Sequence, residues 1–220
     1  MGYVSMKYKY EIIYPKAEVT KVTPVVMTLH GMGASYLDLR PLVSVFGKNV
    51  IELHLQGDLN YRGGYAYFTP EFGKKAEIDV IGNVVKNIHD QVQEILKQKK
   101  LQNNPLFSLG FSQGAIINTG LSIFYPNWLD VVVILSARLP AFYIEEADKN
   151  LVGRKISTKI FISQGQKDTL FKPKIGREIA TFFRQYASSV EYHEYPSGHT
   201  VNCNTPQDIN DWVNEVYFAK

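Results

Sequence analysis

Cysteine is almost absent from the chain: Cys203 is the only one among 220 residues. A single cysteine cannot form a disulfide within the chain, which excludes a small fold held together by disulfides. It favours a reducing compartment, so we predict a cytoplasmic protein. A lone cysteine can act as a nucleophile in an enzyme, but we expect Cys203 to be a small buried apolar group.

Long hydrophobic runs and blocks of basic residues are also missing. No stretch approaches the ~20 apolar residues that span a bilayer, and no signal-peptide pattern precedes the first strand, so we expect no stable membrane insertion. The densest basic cluster is KQKK at 97–100, at the end of a predicted helix, where positive charges complement the helix dipole. With a net charge of +3, the sequence does not indicate nucleic-acid binding. Met6 is an alternative start, so the sequence leaves open whether residues 1–5 are native.

The residues that are abundant form alternating strand and helix patterns. Hydrophobic residues make up 45% of the chain and charged residues 20%, which is typical of a globular protein, and we predict a single domain over residues 1–220. Strands are predicted at 7–14, 24–30, 49–55, 105–111, 130–136, 158–165 and 189–196. Helices are predicted at 78–98, 115–125, 174–186 and 206–218.

This alternation predicts an α/β fold with a mostly parallel central sheet and helices on both faces. In such sheets, binding and catalytic residues gather at the carboxyl ends of the strands. Candidate site residues are therefore expected directly after predicted strands.

Ser112 in LGFSQGA has Gly110 two residues before it and Gly114 two residues after it, at a junction of predicted strand and helix. A serine hydroxyl is a weak nucleophile until a base activates it, and a sharp strand-to-helix turn exposes its oxygen. Glycine on both sides removes the collisions that such a turn would cause. The free N–H groups of the following helix favour negative charge beside the serine. The pattern predicts that Ser112 is a nucleophile.

The glycine-rich turn HGMG follows the predicted strand 24–30. Gly31 and Gly33 allow the backbone to curl so that an N–H group points into the site. The residue after a nucleophilic serine supplies a second donor in such sites. We therefore predict that the backbone N–H groups of Met32 and Gln113 form an oxyanion hole.

The general base is expected late in the chain, and His199 in YPSGHTVN is the histidine on a loop after the last predicted strand. His30 ends an early strand, where a structural hydrogen-bonding role is expected. His89 is expected to face solvent from the predicted helix 78–98. His54 and His193 lie within predicted strands.

The acid is expected between the serine and the histidine, just past a strand. Asp168 in SQGQKD meets both conditions, and it would hold the His199 imidazole in the required tautomer. Asp130 lies at the start of its strand, which is the wrong edge of the sheet. Glu145, Glu146 and Asp148 lie on the excursion after strand 130–136 and remain substitutes.

The segments LHGMGAS, GFSQGA, ILSARLP, SQGQKD and SGHTV occur in this order from about residue 24 onward. In these segments the chain resembles the α/β-hydrolase fold, and within it the small bacterial members of the phospholipase/carboxylesterase family, which includes the acyl-protein thioesterases. The resemblance implies a minimal lid, a triad of Ser112, Asp168 and His199, and oxyanion donors at Met32 and Gln113. Ala137 stands where relatives usually carry glycine, which bears on the acyl pocket.

Several apolar and aromatic residues follow predicted strands at the catalytic edge, and each could equally pack in the core or a loop. As lining residues of an acyl or alcohol pocket we consider Tyr36, Leu37, Tyr65, Leu139 and Phe142. Arg62 is expected to be exposed.

These patterns predict a serine carboxylesterase that hydrolyses small carboxylic esters through an acyl-enzyme, with neither metal nor organic cofactor. An acyl thioesterase or a lysophospholipase with the same triad is the alternative, and a non-catalytic binding module is a further one. Exposed aromatic residues are compatible with a homodimer.

Overall fold

The structure is a computed structural model that describes residues 6–69 and 75–219. Residues 1–5, whose native origin the sequence leaves open, lie outside the described residues. Within these ranges the strands are β1 (Lys9–Ile13), β2 (Val25–Leu29), β3 (Ile51–Gln56), β4 (Leu59–Tyr61), β5 (Gly64–Ala66), β6 (Leu106–Phe111), β7 (Val131–Leu135), β8 (Ile156–Gly165) and β9 (Ala187–Tyr195).

The α-helices are α1 (Asn83–Gln98), α2 (Gln113–Phe124), α3 (Ala141–Asn150), α4 (Pro173–Arg184) and α5 (Thr205–Val213). A π-helical turn, Ile78–Gly82, precedes α1, and a second one, Asn214–Phe218, follows α5. A 3-10 helix spans Arg40–Phe46. None of the described helices is long and apolar enough to cross a membrane.

The central sheet has seven strands in the order β1-β3-β2-β6-β7-β8-β9. Only β1 runs antiparallel to its neighbour, β3, and every other pair in this sheet is parallel. The strands β4 and β5 form a separate antiparallel hairpin. Because β2, β6, β8 and β9 are parallel, the loops that follow them emerge at one edge of the sheet.

Helices cover both faces of the sheet because alternate side chains of the buried strands point to opposite sides. One apolar core lies between the sheet and the helices α1 to α4, with Met27, Ile88 and Ile117 among its buried members. The other core packs the opposite face against the 3-10 helix and α5, through residues such as Phe107 and Trp212. This arrangement confirms the predicted α/β fold with a mostly parallel sheet.

The predicted helix 78–98 shows which features of a helix the spacing of apolar residues can predict. Of its six apolar positions at three- and four-residue spacing, Ile78 is exposed, and the other five are buried as expected for one helix face: Ile81, Val85, Ile88, Val92 and Ile95. Its first turn, however, is π-helical rather than α-helical. The spacing therefore located the buried face but did not distinguish the two hydrogen-bonding patterns.

Three elements have no counterpart in the predictions: the β4–β5 hairpin, the 3-10 helix and α3. The hairpin strands have only three residues each, and they flank Arg62 and Gly63, both with positive φ. Strands this short show no alternation to read. The helix α3 lies in the excursion that contains Glu145, Glu146 and Asp148, where its few buried residues form a weak pattern.

Cys203 contradicts our expectation of a small buried group, because its side chain is exposed. It lies on the loop between His199 and α5, where its sulfur is near the side-chain oxygens of Asn202 and Asn204. This loop runs along the surface, and polar neighbours surround the thiol. Residue type alone does not reveal such a placement.

The packing of α2 against its neighbours depends on Gly120. A Cβ atom added at Gly120 would lie 2.3 Å from the Tyr143 hydroxyl and 2.7 Å from Cγ2 of Val85. That hydroxyl donates a hydrogen bond to the Ile116 carbonyl, so there is little freedom to move away. We predict that Gly120→Ala lowers the free energy of unfolding by about 1–3 kcal/mol, measured by urea denaturation.

Gly82→Ala is the matched control for this prediction. An added Cβ at Gly82 would meet only Cγ1 of Ile78, at 3.5 Å, and its backbone is already helical at φ −61°. This change is expected to be neutral or to stabilise the protein by about 0.4–1 kcal/mol. Equal unfolding free energies for the two variants would contradict the packing argument.

Candidate active site

Ser112 lies at the apex of the turn between β6 and α2. Its backbone has φ 51° and ψ −110°, a conformation that L-residues other than glycine rarely adopt. The strained residue is held in place because its N–H donates to the Leu135 carbonyl at 2.9 Å and its own carbonyl accepts from the Ile116 N–H at 3.0 Å. The side chain is thereby presented at the carboxyl edge of the sheet.

The two flanking glycines are required by close backbone contacts. A Cβ atom at Gly110 would lie 2.5 Å from the Gly114 carbonyl oxygen, because strand and helix fold back on each other around Ser112. A Cβ atom at Gly114 would lie 1.9 Å from the Leu29 carbonyl oxygen of the neighbouring strand. A side chain at Gly110 would push the strand and the helix of this turn apart, and a side chain at Gly114 would push the turn away from β2.

His199 lies on the loop after β9 and reaches Ser112 across the edge of the sheet. Its Nε2 accepts a hydrogen bond from the Ser112 hydroxyl at 2.8 Å, and its Nδ1–H donates to Oδ2 of Asp168 at 2.7 Å. The rings of Phe111 and Phe171 pack beside the imidazole, with centroids 5.1 and 5.3 Å away. The structure therefore brings together the three residues that the sequence placed after separate strands.

Asp168 follows β8, and its carboxylate is completely buried. Oδ1 accepts the backbone N–H groups of Leu170 and Phe171, at 2.9 and 2.8 Å. Oδ2 accepts Nε2 of Gln164 at 2.9 Å in addition to the His199 Nδ1–H. These donors satisfy a buried negative charge and orient it toward the imidazole.

The loops that carry the acid and the histidine are packed directly on each other at Gly165. A Cβ atom there would lie 2.2 Å from the Gly198 carbonyl oxygen. Backbone bonds from Gln166 to Tyr195 and from Lys167 to Ser197, at 2.7 and 2.9 Å, join the same loops. The spacing between Asp168 and His199 is thus set by backbone contacts as well as by their own hydrogen bond.

Met32, on the loop after β2, and Gln113, at the start of α2, both line the same cavity as Ser112. Gln113 is the first residue of α2, so its N–H has no acceptor within the helix. Within the described residues, neither backbone N–H group donates to a protein acceptor. Both groups are therefore left with an unused hydrogen-bond donor.

The cavity beside Ser112 has a volume of about 310 Å³. Apolar side chains form most of its wall, and Leu170 at its rim is 60% exposed, so the cavity is open to solvent there. Arg138 brings a positive charge to the wall and is paired with Glu77. The lining residues are Met32, Phe68, Ser112, Gln113, Ile116, Arg138, Leu170 and Phe171.

The five pocket residues considered from the sequence are not among these lining residues. Tyr36 lies under the ammonium group of Lys9, and Leu37 is 47% exposed. Tyr65 pairs through its backbone with Gly33 and Ala34.

Leu139 and Phe142 pack toward the core instead, where the Phe142 ring lies 4.5 Å from that of Tyr143. All five residues follow strands of the central sheet, but none of them lines the cavity beside Ser112. Arg62 is exposed, as expected, and lies over the Tyr61 ring.

The remaining histidines have other partners. His54 is buried and bonded to Thr28 and Glu52, and His193 is bonded to Glu191. His89 does not simply face solvent, because its ring stacks on Tyr125 with centroids 3.6 Å apart. His30 is buried, and burial lowers its pKa below the usual value for histidine.

A larger depression, about 950 Å³, lies at the opposite edge of the sheet. Pro24, Pro105 and Asp130, which precede β2, β6 and β7, are among its lining residues. It is therefore remote from Ser112. As expected, Asp130 is at this edge, where its carboxylate accepts the Leu106 N–H.

Some residues with roles at this site were missed by sequence reasoning. Gln164 orients Asp168, and the Gln113 side chain bonds to the backbone of Tyr67 and Phe68. The cavity walls at Ile116 and Phe171 were also missed. None of these roles is marked by a sequence motif. For Gln113, the position after the serine predicted a role for the backbone N–H but not for the side chain. Among the described residues, no group of three or more His, Cys, Asp or Glu side chains could hold a metal ion.

Comparisons with known proteins identify the family of this chain. The profile of the phospholipase/carboxylesterase family matches residues 65–217. The putative hydrolase MhqD of Bacillus subtilis (strain 168) is 21% identical over 193 residues, covering 87% of this chain and 93% of that protein.

Solved structures show the same fold. The Bacillus cereus carboxylesterase has a TM-score of 0.81 at 20% identity, covering 97% of this chain and 96% of its own. A carboxylesterase from Mesorhizobium loti has a TM-score of 0.77 at 18% identity and 95% coverage of both chains. SOBER1 of Arabidopsis thaliana has a TM-score of 0.67 at 22% identity, covering 88% of this chain and 98% of that one. Since the family profile matches well over half of its residues, the chain belongs to the phospholipase/carboxylesterase family and is a serine ester hydrolase with the α/β-hydrolase fold.

Proposed function

We propose that this protein is a carboxylesterase that hydrolyses small carboxylic esters through a triad of Ser112, His199 and Asp168. The observation that carries the proposal is the pair of hydrogen bonds made by His199, 2.8 Å to Ser112 and 2.7 Å to Asp168. This pair aims a base at a serine hydroxyl and fixes the tautomer of that base.

In the proposed reaction, Ser112 Oγ attacks the ester carbonyl while His199 Nε2 takes the hydroxyl proton. The oxyanion that forms accepts hydrogen bonds from the N–H groups of Met32 and Gln113, next to the positive end of the α2 dipole. His199 then gives the proton to the leaving alkoxide, and an acyl-enzyme remains. A water molecule, deprotonated by His199, attacks this ester, and the carboxylic acid leaves with regeneration of the Ser112 hydroxyl.

The preference for small substrates is supported by the size of the cavity. At about 310 Å³ it lies at the lower end of the range of ligand pockets. The wall at Ile116 and Phe68 is buried, which limits the depth available to a straight chain. A short acyl or alcohol group therefore fits this cavity better than a long fatty acyl chain.

The first prediction concerns the nucleophile. Ser112→Ala is expected to lower kcat for p-nitrophenyl acetate by at least about 10³-fold, because the attacking oxygen is removed. The smaller alanine side chain introduces no new contact, so the fold should be retained. Hydrolysis at saturating ester is the measurement, with circular dichroism to verify the fold. A fluorophosphonate probe should label wild-type Ser112 and leave the variant unlabelled. Wild-type turnover by the variant, or labelling at another residue, contradicts the proposed nucleophile.

The second prediction concerns the acid. Asp168→Asn is expected to lower kcat by about 10³–10⁴-fold, because an amide no longer favours the Nδ1–H tautomer of His199. Asp148→Asn is the matched control, since Asp148 is an exposed residue of α3. That variant should keep wild-type kcat. The opposite result, with Asp148 essential and Asp168 dispensable, assigns the acid to α3 instead.

The third prediction addresses acyl-chain length and distinguishes the proposal from its alternatives. For p-nitrophenyl esters, kcat/KM is expected to be highest between acetate and butyrate and to fall by at least about tenfold at decanoate, because the cavity cannot accept the longer chain. The matching thioesters serve as the second series. A maximum at long acyl chains, or a clear preference for thioesters, would favour the alternative hypothesis of a thioesterase or lysophospholipase.

A further inference from the structure

The peptide group between Gly31 and Met32 connects a proposed oxyanion donor to a buried histidine. Its N–H belongs to Met32 and is one of the two proposed oxyanion donors. Its carbonyl oxygen, on Gly31, lies 2.6 Å from Nδ1 of His30. Because the peptide group is planar, any atom that fixes the carbonyl direction also fixes the direction of the N–H.

The hydrogen bonds of His30 define its tautomer. The Gly57 N–H can only donate, and it lies 3.0 Å from Nε2, so Nε2 must be unprotonated. Nδ1 therefore carries the proton and donates it to the Gly31 carbonyl. The ring is 1% exposed and lies against Tyr67 with centroids 4.7 Å apart. Burial also lowers the pKa of His30, which favours the neutral ring.

The acceptor side of His30 is anchored to a rigid support. A Cβ atom at Gly57 would lie 2.3 Å from the backbone of Ala66, so the two segments are in direct contact. The next residue, Tyr67, donates its N–H to Oε1 of Gln113 at 2.7 Å. Gln113 supplies the other proposed oxyanion donor. Both donors are therefore connected to the segment of Ala66 and Tyr67, one through His30 and one through the Gln113 amide.

We propose that His30 is a positioning residue of the oxyanion hole, whose Nδ1–H bond to the Gly31 carbonyl aims the Met32 N–H at the developing oxyanion. This inference rests on the proposed esterase function. A hydrogen bond at the carbonyl also polarises the peptide group, which makes its N–H a stronger donor. The residue acts through the backbone and does not contact the reacting atoms.

Two substitutions separate the two hydrogen bonds of His30. In His30→Asn the amide nitrogen takes the δ position and can still donate to Gly31, while the bond to Gly57 is lost. In His30→Gln the amide takes the ε position and can accept from Gly57, while the donor to Gly31 is lost. We expect His30→Gln to lower kcat by roughly 10–100-fold, less than the 10²–10³-fold of deleting a donor, with KM nearly unchanged. His30→Asn should stay within about fivefold of wild type, on the same reasoning.

A second readout reports on the oxyanion directly. A trifluoromethyl ketone with a short alkyl group adds to the serine as a tetrahedral oxyanion, so its affinity depends on the aim of the donors. Its inhibition constant is expected to rise in His30→Gln by about the factor lost in kcat/KM. A ground-state competitor without a carbonyl should bind equally to all variants.

His54 provides the matched control, because it too is a buried histidine with two hydrogen-bond partners, here the side chains of Thr28 and Glu52. His54→Asn and His54→Gln are expected to change thermal stability, but the two variants should have the same kcat and the same affinity for the ketone. Equal kcat in His30→Asn and His30→Gln, or the same loss in the His54 variants, overturns the positioning role and leaves a packing role.

A further measurement uses the unmodified protein, so that it holds even if the variants do not fold. Nitrogen NMR of histidine-labelled protein, with each ring assigned, is expected to show the His30 ring in the Nδ1–H form at neutral pH. An Nε2–H or doubly protonated His30 contradicts the inference. If wild-type protein neither turns over esters nor reacts with the fluorophosphonate, the proposed function itself fails. If the wild type is active and the His30 variants match it, only the positioning role fails.

Discussion

The site depends on one imidazole that joins two distant parts of the chain. His199 is bonded to residues 31 and 87 positions earlier, and neither bond could form without the parallel sheet that brings their loops to one edge. The buried carboxylate of Asp168 would be costly without its donors, and the loop that supplies two of them also contributes Phe171 to the cavity wall. Stability and the proposed chemistry thus use the same contacts.

Backbone proximity, rather than side-chain packing alone, sets this geometry. At Gly110, Gly114 and Gly165 an added Cβ would lie within 2.5 Å of a backbone carbonyl oxygen. These contacts hold the Ser112 turn against β2 and the Asp168 loop against the His199 loop. The strained φ of Ser112 persists because its neighbours leave it no other position. The glycines are therefore part of the positioning apparatus of the site.

The proposed oxyanion hole is also supported by contacts from residues that do not touch the reacting atoms. His30 and the Gln113 amide both bind the region of Gly57, Tyr67 and Phe68, and Phe68 also lines the cavity. A hole made only of two flexible loop amides would have to reorganise as the oxyanion forms. Fixed donors avoid that reorganisation, and this is the main source of their effect on rate.

The sequence alone was sufficient for the alternation of strands and helices, the serine turn and the loop positions of Asp168 and His199. Each of these is a local pattern, such as a period, a glycine spacing or a place after a strand. The short hairpin, α3, the exposure of Cys203 and the cavity walls were not predictable in this way. The direction in which Tyr36 or Phe142 points depends on neighbours far along the chain, and so does the partner of His30. Local patterns determine which residues reach the catalytic edge of the sheet, whereas only tertiary packing decides which side chains turn into the cavity, because that choice is made by contacts between segments that are distant in sequence.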